Sequence, residues 1–456
     1  MPFPVLTNTP RNTFYAPTQT LRITVSALDM KNLEDATLFW FGTSAFTGGY
    51  VTLSPMQALP YCLNIHPGES LAAVRDAITT HAVAVKTRIS PAHAYPLGLR
   101  LSAAAAQELH ASPASLDDFA ELLAQHDLTV SCINGFPYGA FHGTAVKTAV
   151  YEPDWSKPER LIYTGRLAEI LAVLLPEGAT GNISTVPVGY QNPSPTEIQK
   201  RVDVEGQRMV VSVRHFAVMA EFLDDLSIRK NCEIVLALEP EPDCLLETTD
   251  DVIHWFEDEL LYQGTRWLSN NRQRTSDEAE ALLRRHIGIC LDTCHFAVAF
   301  EDPLTALTRF ESAGLRVARI QLSAALRTTV SEDALQRLRA FIDPVYLHQT
   351  KIRLPRGQIA AYPDLTEATL DAACEQTDCE LRTHFHVPLY FEGDGVLAST
   401  HTDLTPAFFE HVRARRIPLE VETYTFDVLP PDLRAPTVVD SLVRELEWAF
   451  RATRGV

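Results

Sequence analysis

IGICLDTCHFAVAFEDP, residues Ile287–Pro303, is the stretch whose reading decides the fold. Its alternating apolar residues Ile287, Ile289 and Leu291 predict a short buried strand. Asp292 and His295 follow where that strand ends, an acidic group and an imidazole three positions apart. Ala297–Phe300 is apolar again, and Asp302-Pro303 punctuates the chain before the next helix. A carboxylate and a histidine leaving one strand end together suit a divalent cation at the mouth of a barrel enzyme.

Outward from this stretch the chain alternates strand and helix. ALPYCLNIHPGES, from Ala58, predicts a strand ending at Asn64 and His66, a Pro-Gly turn, and a helix from about Ser70 to His81. Further strands are predicted at Gly98–Ser102, Leu128–Asn134, Asn182–Pro187 and Ile234–Glu239. Helices are predicted at Leu116–His126, Leu161–Leu175, Thr196–Arg229 and Asp250–Leu261. Beyond the opening stretch, Val317–Leu322, Leu381–Val387 and Pro418–Glu422 also read as strands, with helices near Glu332–Phe341, Leu365–Cys374 and Pro406–Arg415.

This makes nine strand candidates for the eight places of a closed barrel, so one belongs to an insertion, assigned to Thr328–Gly395. Regular alternation implies a parallel sheet with helical crossovers. The expected fold is therefore α/β, a (β/α)8 TIM barrel over residues 56–456. Met1–Pro55 has neither a signal-peptide pattern nor a clear period, and Met56 immediately precedes the first convincing strand. The first 55 residues are expected to be a loosely held N-terminal extension.

At 456 residues the chain lies within the range of a decorated barrel. A hydrophobic content of 46% and a charged content of 21% describe an ordinary globular protein, and no apolar run approaches the ~18 residues of a membrane span. The net charge of −19 opposes nonspecific nucleic-acid binding, which needs an excess of Lys and Arg. The eight cysteines are scattered, several within strand-like segments, as reduced thiols of a cytoplasmic protein would be. Cys374 and Cys379 lack a second pair at zinc-ribbon spacing. No Gly-x-Gly-x-x-Gly turn or Walker-type loop follows a strand, and Ser184-Thr185 lacks a nucleophile elbow.

In such barrels the reactive groups sit at the carboxyl ends of strands. Here those ends carry Asn64 and His66, Asn134, Glu239 and Glu241, Asp292 and His295, Gln321, His384 and His386, then Glu420 and Glu422. The period of two points His384 and His386 the same way, and likewise Glu420 and Glu422. Glu239 has no basic residue nearby in sequence, and a buried carboxylate needs a partner. One reading is a salt bridge to an arginine of another strand, such as Arg100. The other is a cation held by Glu, Asp, His and Glu from four strands, in a mixed oxygen and nitrogen set that suits Mn²⁺, Zn²⁺ or Co²⁺. His66 either hydrogen-bonds its turn or joins the site. His142 either orders its loop or touches substrate, and His348 reads as a core histidine. Cys290 and Cys294 flank Asp292 without a basic partner in sequence, which makes nucleophilic catalysis a minor reading.

The order Glu239, Asp292-x-x-His295, then a later His and Glu resembles the xylose isomerase-like barrel superfamily of sugar isomerases, ketose 3-epimerases and the endonuclease IV group. The phrases YCLNIHPGES, INGFPYGAFHGT, LALEPEPDCLLET, LDTCHFAVAFEDP, RIQLSAALR, RTHFHVP and LEVETYTFDVLP resemble one branch of it, the EboE "metabolite traffic" family. They span Tyr61 to about Pro430. The superfamily resemblance implies a metal held by Glu239, Asp292, an imidazole and Glu422. It implies for His295 either a metal or a substrate. The sequence departs from the pattern at RIQLSAALR, where Gln321 replaces a metal histidine and Arg327 takes the place of a substrate-binding arginine. Alternatively HFHVP is the seventh strand, and His384 or His386 supplies the ligand.

The expected function is a metal-dependent isomerase or epimerase of a sugar, cyclitol or related polyol in a secondary-metabolite pathway. Glu239 would remove a proton beside a polarised carbonyl and Glu422 would return it. Asn64, His66, Asn134, His142, Glu241, His295, Gln321 and Arg327 are the expected substrate contacts. Two alternatives stand beside it. An endonuclease IV-like phosphoesterase would hold more than one ion through His66, His295 and the His384/His386 pair. A non-catalytic barrel would keep the site only to bind a metabolite.

Overall fold

The structure, a computed structural model, describes residues 59–191 and 198–455, without the side chains of residues 198–205. The expectation for Met1–Pro55 lies outside the described residues. Six strands follow one another in parallel order: β1 (Tyr95–Arg100), β2 (Leu128–Asn134), β3 (Thr180–Thr185), β4 (Glu233–Leu238), β5 (Ile287–Asp292) and β6 (Val317–Leu322). A seventh parallel strand, Leu419–Val421, pairs with β6. β4 and β5 are rich in Val, Ile and Leu, and β5 is buried along its whole length, as strands covered on both faces must be.

The sheet closes through residues 61–62. Tyr61 bridges Val421 and Cys62 bridges Gly98, both in parallel sense. Three backbone hydrogen bonds tie this eighth position in, from Cys62 N–H to Val421 O at 2.9 Å, Gly98 N–H to Tyr61 O at 3.1 Å and Val421 N–H to Pro60 O at 2.9 Å. The fold is a (β/α)8 barrel. Its first strand is shorter than the sequence predicts, because the chain leaves it for a 3-10 turn at Leu63–Ile65.

The remaining strands belong to a second, antiparallel sheet inserted between β6 and the last barrel strand. They are β7 (Leu326–Thr329), β8 (Thr350–Arg353), β9 (Ile359–Tyr362), β10 (Glu380–Thr383) and β11 (Ala398–Ser399), in the order β11-β7-β10-β8-β9. The last barrel strand is accordingly β12 (Leu419–Val421). The reading of HFHVP as the seventh barrel strand is corrected here. The segment is strand only to Thr383, where β10 pairs antiparallel with β7 and β8. Its alternation of Leu381, Thr383 and Phe385 fits any half-buried strand, and periodicity does not choose the partner.

Helices cover the barrel and begin where their caps predict. The helix Ser276–His286 starts at a capping box, Thr275 with Glu278, and delivers the chain directly into β5. The helix Val438–Arg454, absent from the sequence reading, packs Leu442, Val443, Leu446 and Ala449 inward.

Candidate active site

The mouth of the barrel is built from the ends of β4, β5 and β12 together with residues 384–386, which leave β10 and turn back over it. Asp292 ends β5 and caps the helix Thr293–Val298. Its Oδ1 accepts from the Cys294 N–H at 2.8 Å, the His295 N–H at 3.2 Å and the Ser323 hydroxyl at 2.6 Å. Its Oδ2 has no hydrogen-bond partner, although the side chain is wholly buried. A buried carboxylate oxygen left bare is costly, and a bound cation would relieve that cost.

Three imidazoles gather around it. His295 Nδ1 lies 2.9 Å from the Pro240 carbonyl, and its Nε2 is 3.9 Å from Asp292 Oδ1. His384 Nδ1 lies 2.7 Å from Gln349 Oε1. His386 Nδ1 is 3.1 Å from the Glu422 carbonyl and 2.8 Å from its Oε2, though the latter approach lacks hydrogen-bond alignment. The Nε2 atoms of His384 and His386 face each other at 3.0 Å. The His295 ring stands nearly perpendicular to that of His384, with centroids 4.6 Å apart. Asp292, His295 and His386 offer ligand atoms that all lie within 4.8 Å of one another, as do Glu241, His295 and His384, and Cys294, His384 and His386.

Carboxylates complete the mouth. Glu239 follows β4; burial pushes its carboxyl well above the usual range, Asp292 and Glu422 add to the shift, and Arg319 opposes it. Gln321, with its amide nitrogen turned toward Glu239, donates to both carboxylate oxygens at 3.0 and 3.2 Å. Glu241 accepts from Tyr151 Oη at 2.7 Å, and burial raises its pKa too. Glu422 accepts from Asn64 Nδ2. A cleft of about 500 Å³, including its open mouth, is lined by Asn64, Asn134, Glu239, Glu241, His295, His384 and Glu422. Phe141, Tyr346 and Tyr424 form one wall, their ring centroids 5.0 to 5.2 Å apart.

Other sequence-predicted residues lie elsewhere. His66 packs on His81 at 4.4 Å between centroids and lies 3.2 Å from Tyr61 Oη; burial, His81 and His142 hold its pKa down to about 3. It does not line the cleft. Arg327 sits on β7, 3.4 Å from Asp403. His142 supports the mouth from behind, bonded to the Asn64 carbonyl at 2.6 Å and to Tyr346 Oη at 2.7 Å. Arg100 binds Glu69 at 3.2 Å, so it is not the partner of Glu239. Glu420 does not share the direction of Glu422 into the cleft: it turns into the barrel and meets Arg319 at 3.0 Å. His348 is buried between Asp343 and the His384 carbonyl, at 3.1 and 2.7 Å.

Sequence reasoning missed Tyr151, Ser323 and Gln349. Gln349 is fully buried, and its Nε2 donates to Tyr151 Oη at 2.9 Å and to the Pro242 carbonyl at 3.0 Å while its Oε1 faces His384. Its only sequence signal is a buried-looking amide beside His348 in VYLHQT.

No family model matches the sequence, and no curated protein matches it. Among solved structures the chain is similar to the probable 3-DHS dehydratase AsbF, involved in petrobactin synthesis, from Bacillus anthracis. The identity is 14% over 86% of this chain and 98% of that one, with a TM-score of 0.41. It is also similar to a xylose isomerase-like TIM barrel protein from Mycobacterium smegmatis in complex with magnesium, at 11% identity over 87% of this chain and 99% of that one, TM-score 0.42. A third similarity is to an IolI protein with a bound zinc atom, at 12% identity over 87% of this chain and 98% of that one, TM-score 0.40.

Proposed function

We propose that the chain is a metal-dependent isomerase or epimerase acting on a sugar, cyclitol or related polyol. The observation that carries this reading is the bare, buried Oδ2 of Asp292 beside neighbouring imidazoles, behind a cleft that presents Glu239 and Glu422. The donor set fits a divalent cation, which when bound would polarise a carbonyl and its neighbouring hydroxyl and so acidify the C–H between them. Glu239 takes the part of proton acceptor. A carboxyl whose pKa is raised by burial and by neighbouring acids is a stronger base once ionised. Gln321 holds its two oxygens, so the group has one orientation. Glu422, oriented by Asn64, is the second carboxylate and returns the proton. Asn134 and Glu241 offer hydrogen-bond partners for hydroxyl groups, and the aromatic wall suits the C–H faces of a sugar ring. The resemblance of the phrases quoted above to the EboE branch agrees with a small metabolite as substrate.

The phosphoesterase alternative has less support. Lys147 is the one cationic side chain lining the cleft among the described residues. Its Nζ is occupied by the Asp343 and Tyr346 carbonyls, both at 2.7 Å, and by Asp364 at 2.6 Å. A phosphate would therefore meet Glu239, Glu241 and Glu422 with no free Lys or Arg among the described residues that line the cleft. The test is deuterium wash-in from D₂O into a panel of ketoses and inososes with metal-loaded protein. Exchange that disappears in Glu239→Gln is expected; metal bound with no exchange across the panel sinks the proposal.

A further inference from the structure

The identity of the metal ligands can be argued further, on the metal-dependent reading above. We infer that the cation is held by the Nε2 atoms of His295, His384 and His386 together with Asp292 Oδ2. This is a nitrogen-rich centre in which the inserted sheet supplies two of the four ligands and Glu239 none.

Proton placement follows from partners that can only accept. A backbone carbonyl has no hydrogen to give, so His295 Nδ1, at 2.9 Å from Pro240 O, carries its proton. The same holds for His386 Nδ1, at 3.1 Å from Glu422 O. For His384 the orientation of the Gln349 amide fixes the proton. The amide atom 3.0 Å from the Pro242 carbonyl must be nitrogen. Gln349 Oε1 is then the atom facing His384 at 2.7 Å, and His384 Nδ1 must be the donor. With Nδ1 of each ring committed to an acceptor, Nε2 is the atom left to face an ion once any proton on it is displaced, and an acceptor behind the ring is the usual support of a metal-ligating histidine.

The three rings adjoin one another, with centroids 4.6 Å apart for His295 and His384, 5.7 Å for His295 and His386 and 5.1 Å for His384 and His386. The Nε2 atoms of His384 and His386 are 3.0 Å apart, a hydrogen-bond distance at which a proton on one faces the lone pair of the other, and an ion would take that proton's place. That separation is close to the roughly 3.3 Å edge of a tetrahedron whose metal–nitrogen bonds are about 2.0–2.1 Å. Asp292, His295 and His386 are within 4.8 Å of one another, and Asp292 Oδ2 is the unpartnered oxygen of that group. Among the described residues, the triads whose ligand atoms lie within 4.8 Å of one another take in Asp292, Glu241, Cys294 and the three histidines, and neither Glu239 nor Glu422. Glu239 is instead held by Gln321 on both oxygens. Where β6 offers an amide, residues 384–386 of the insertion bring two imidazoles over the mouth. Three imidazoles and one carboxylate favour Zn²⁺, Co²⁺ or Fe²⁺ over Mg²⁺, which prefers oxygen ligands.

The experiment uses the full chain stripped of metal and titrated separately with Zn²⁺, Co²⁺ and Mg²⁺, with the visible spectrum of the cobalt form as a second readout. One ion per chain is expected, with Zn²⁺ and Co²⁺ bound at least about a thousandfold more tightly than Mg²⁺. His384→Ala and His386→Ala should each weaken binding roughly a hundredfold or more and change the cobalt spectrum. Gln349→Leu, a milder change in a residue that would touch no ion, should cost about 10–100-fold. Glu239→Gln should leave metal affinity within about threefold of the parent. The inference is overturned if Glu239→Gln abolishes binding while the histidine variants retain it, if Mg²⁺ binds as tightly as Zn²⁺, or if no ion binds. A sulfur-to-cobalt charge-transfer band would put Cys294 in the centre and overturn the ligand set. Glu239-dependent binding with deuterium exchange defeats this inference alone; histidine-dependent binding without exchange defeats only the isomerase reading.

Discussion

Glu445 offers a quantitative test of the packing behind the site. It lies on the helix Val438–Arg454 among Leu442, Leu446 and Ala449, and it is fully buried. Its Oε2 accepts from the Thr423 hydroxyl at 2.7 Å and the Leu389 N–H at 3.2 Å, while Oε1 has no partner. It thus ties the segment after His386 to the residue after Glu422. Burial pushes its pKa up from 4.5 to about 7, against the opposing effect of those two hydrogen bonds. A carboxyl whose folded pKa exceeds its unfolded value stabilises the fold below the lower value, and that contribution is lost as pH rises through the higher one. The window here runs from 4.5 to about 7. At ~1.36 kcal/mol per unit the whole effect is about 3 kcal/mol, of which about 2.5 kcal/mol falls between pH 5 and pH 8. Glu445→Gln keeps an acceptor for Thr423 and Leu389 and cannot ionise. Any cost of its unpaired NH₂ is independent of pH and cancels in a double difference. Urea unfolding of both proteins at the two pH values, with chelator present, should show the variant gaining about 2–3 kcal/mol relative to the parent on going to pH 8. A double difference below about 0.5 kcal/mol would mean that the hydrogen bonds fully offset burial, and the reasoning fails.

Other perturbations have equally definite outcomes. Glu420→Gln leaves the buried Arg319, 3.0 Å away, without its counter-charge and should lower unfolding free energy by about 3–5 kcal/mol in a denaturant titration. Gly98→Ala places a Cβ 1.6 Å from Glu420 Oε1 and 3.0 Å from the Tyr61 carbonyl, so loss of at least ~1–3 kcal/mol, read as a lower thermal midpoint or loss of soluble protein, is expected. Tyr151→Phe removes the hydroxyl between Glu241 and Gln349 and should cost about 1–3 kcal/mol by the same measurement. Burial lowers the pKa of His386, but Cys294, Glu422 and Asp292 outweigh it and hold the ring well above its usual value. A cation must then displace a proton, so affinity should rise with pH through neutrality, and calorimetry in buffers of different ionisation enthalpy should detect the release.

The parts of this molecule legible in sequence are those that a local pattern determines. β5 is readable because Ile287, Ile289 and Leu291 recur along a strand covered on both faces, and Asp292 because it is the charged residue that ends it. The barrel's closure was less so. Its eighth position consists of two bridging residues, 61 and 62, too few to show a period. The direction of His384 and His386 was also hidden. Two residues apart they share a side in any strand, but β10 ends at Thr383, and the turn back over the mouth is set by contacts with the Gln349 side chain and the Glu422 carbonyl. Glu445 carries a signal of its own, a carboxylate at the core-facing spacing of Leu442, Leu446 and Ala449.

The two sheets divide the chemistry between them, and Gln349 joins their halves. The barrel contributes Glu239, Asp292 and Glu422 from the ends of parallel strands, where successive loops bring acidic groups together at the cost of mutual repulsion. On the ligand set inferred above, an insertion carrying imidazoles would answer that repulsion by providing ligands for a cation at the place where β6 has only the amide of Gln321. For this to work the insertion must be fixed relative to the barrel within a fraction of an ångström. Gln349 immediately precedes β8, yet its amide reaches Pro242 and Tyr151 on the barrel and His384 after β10. Lys147, in the loop after β2, is anchored on Asp343, Tyr346 and Asp364 of the insertion. The inserted sheet is therefore built into the wall of the site, and its histidines have a geometry that a loosely hinged lid could not hold.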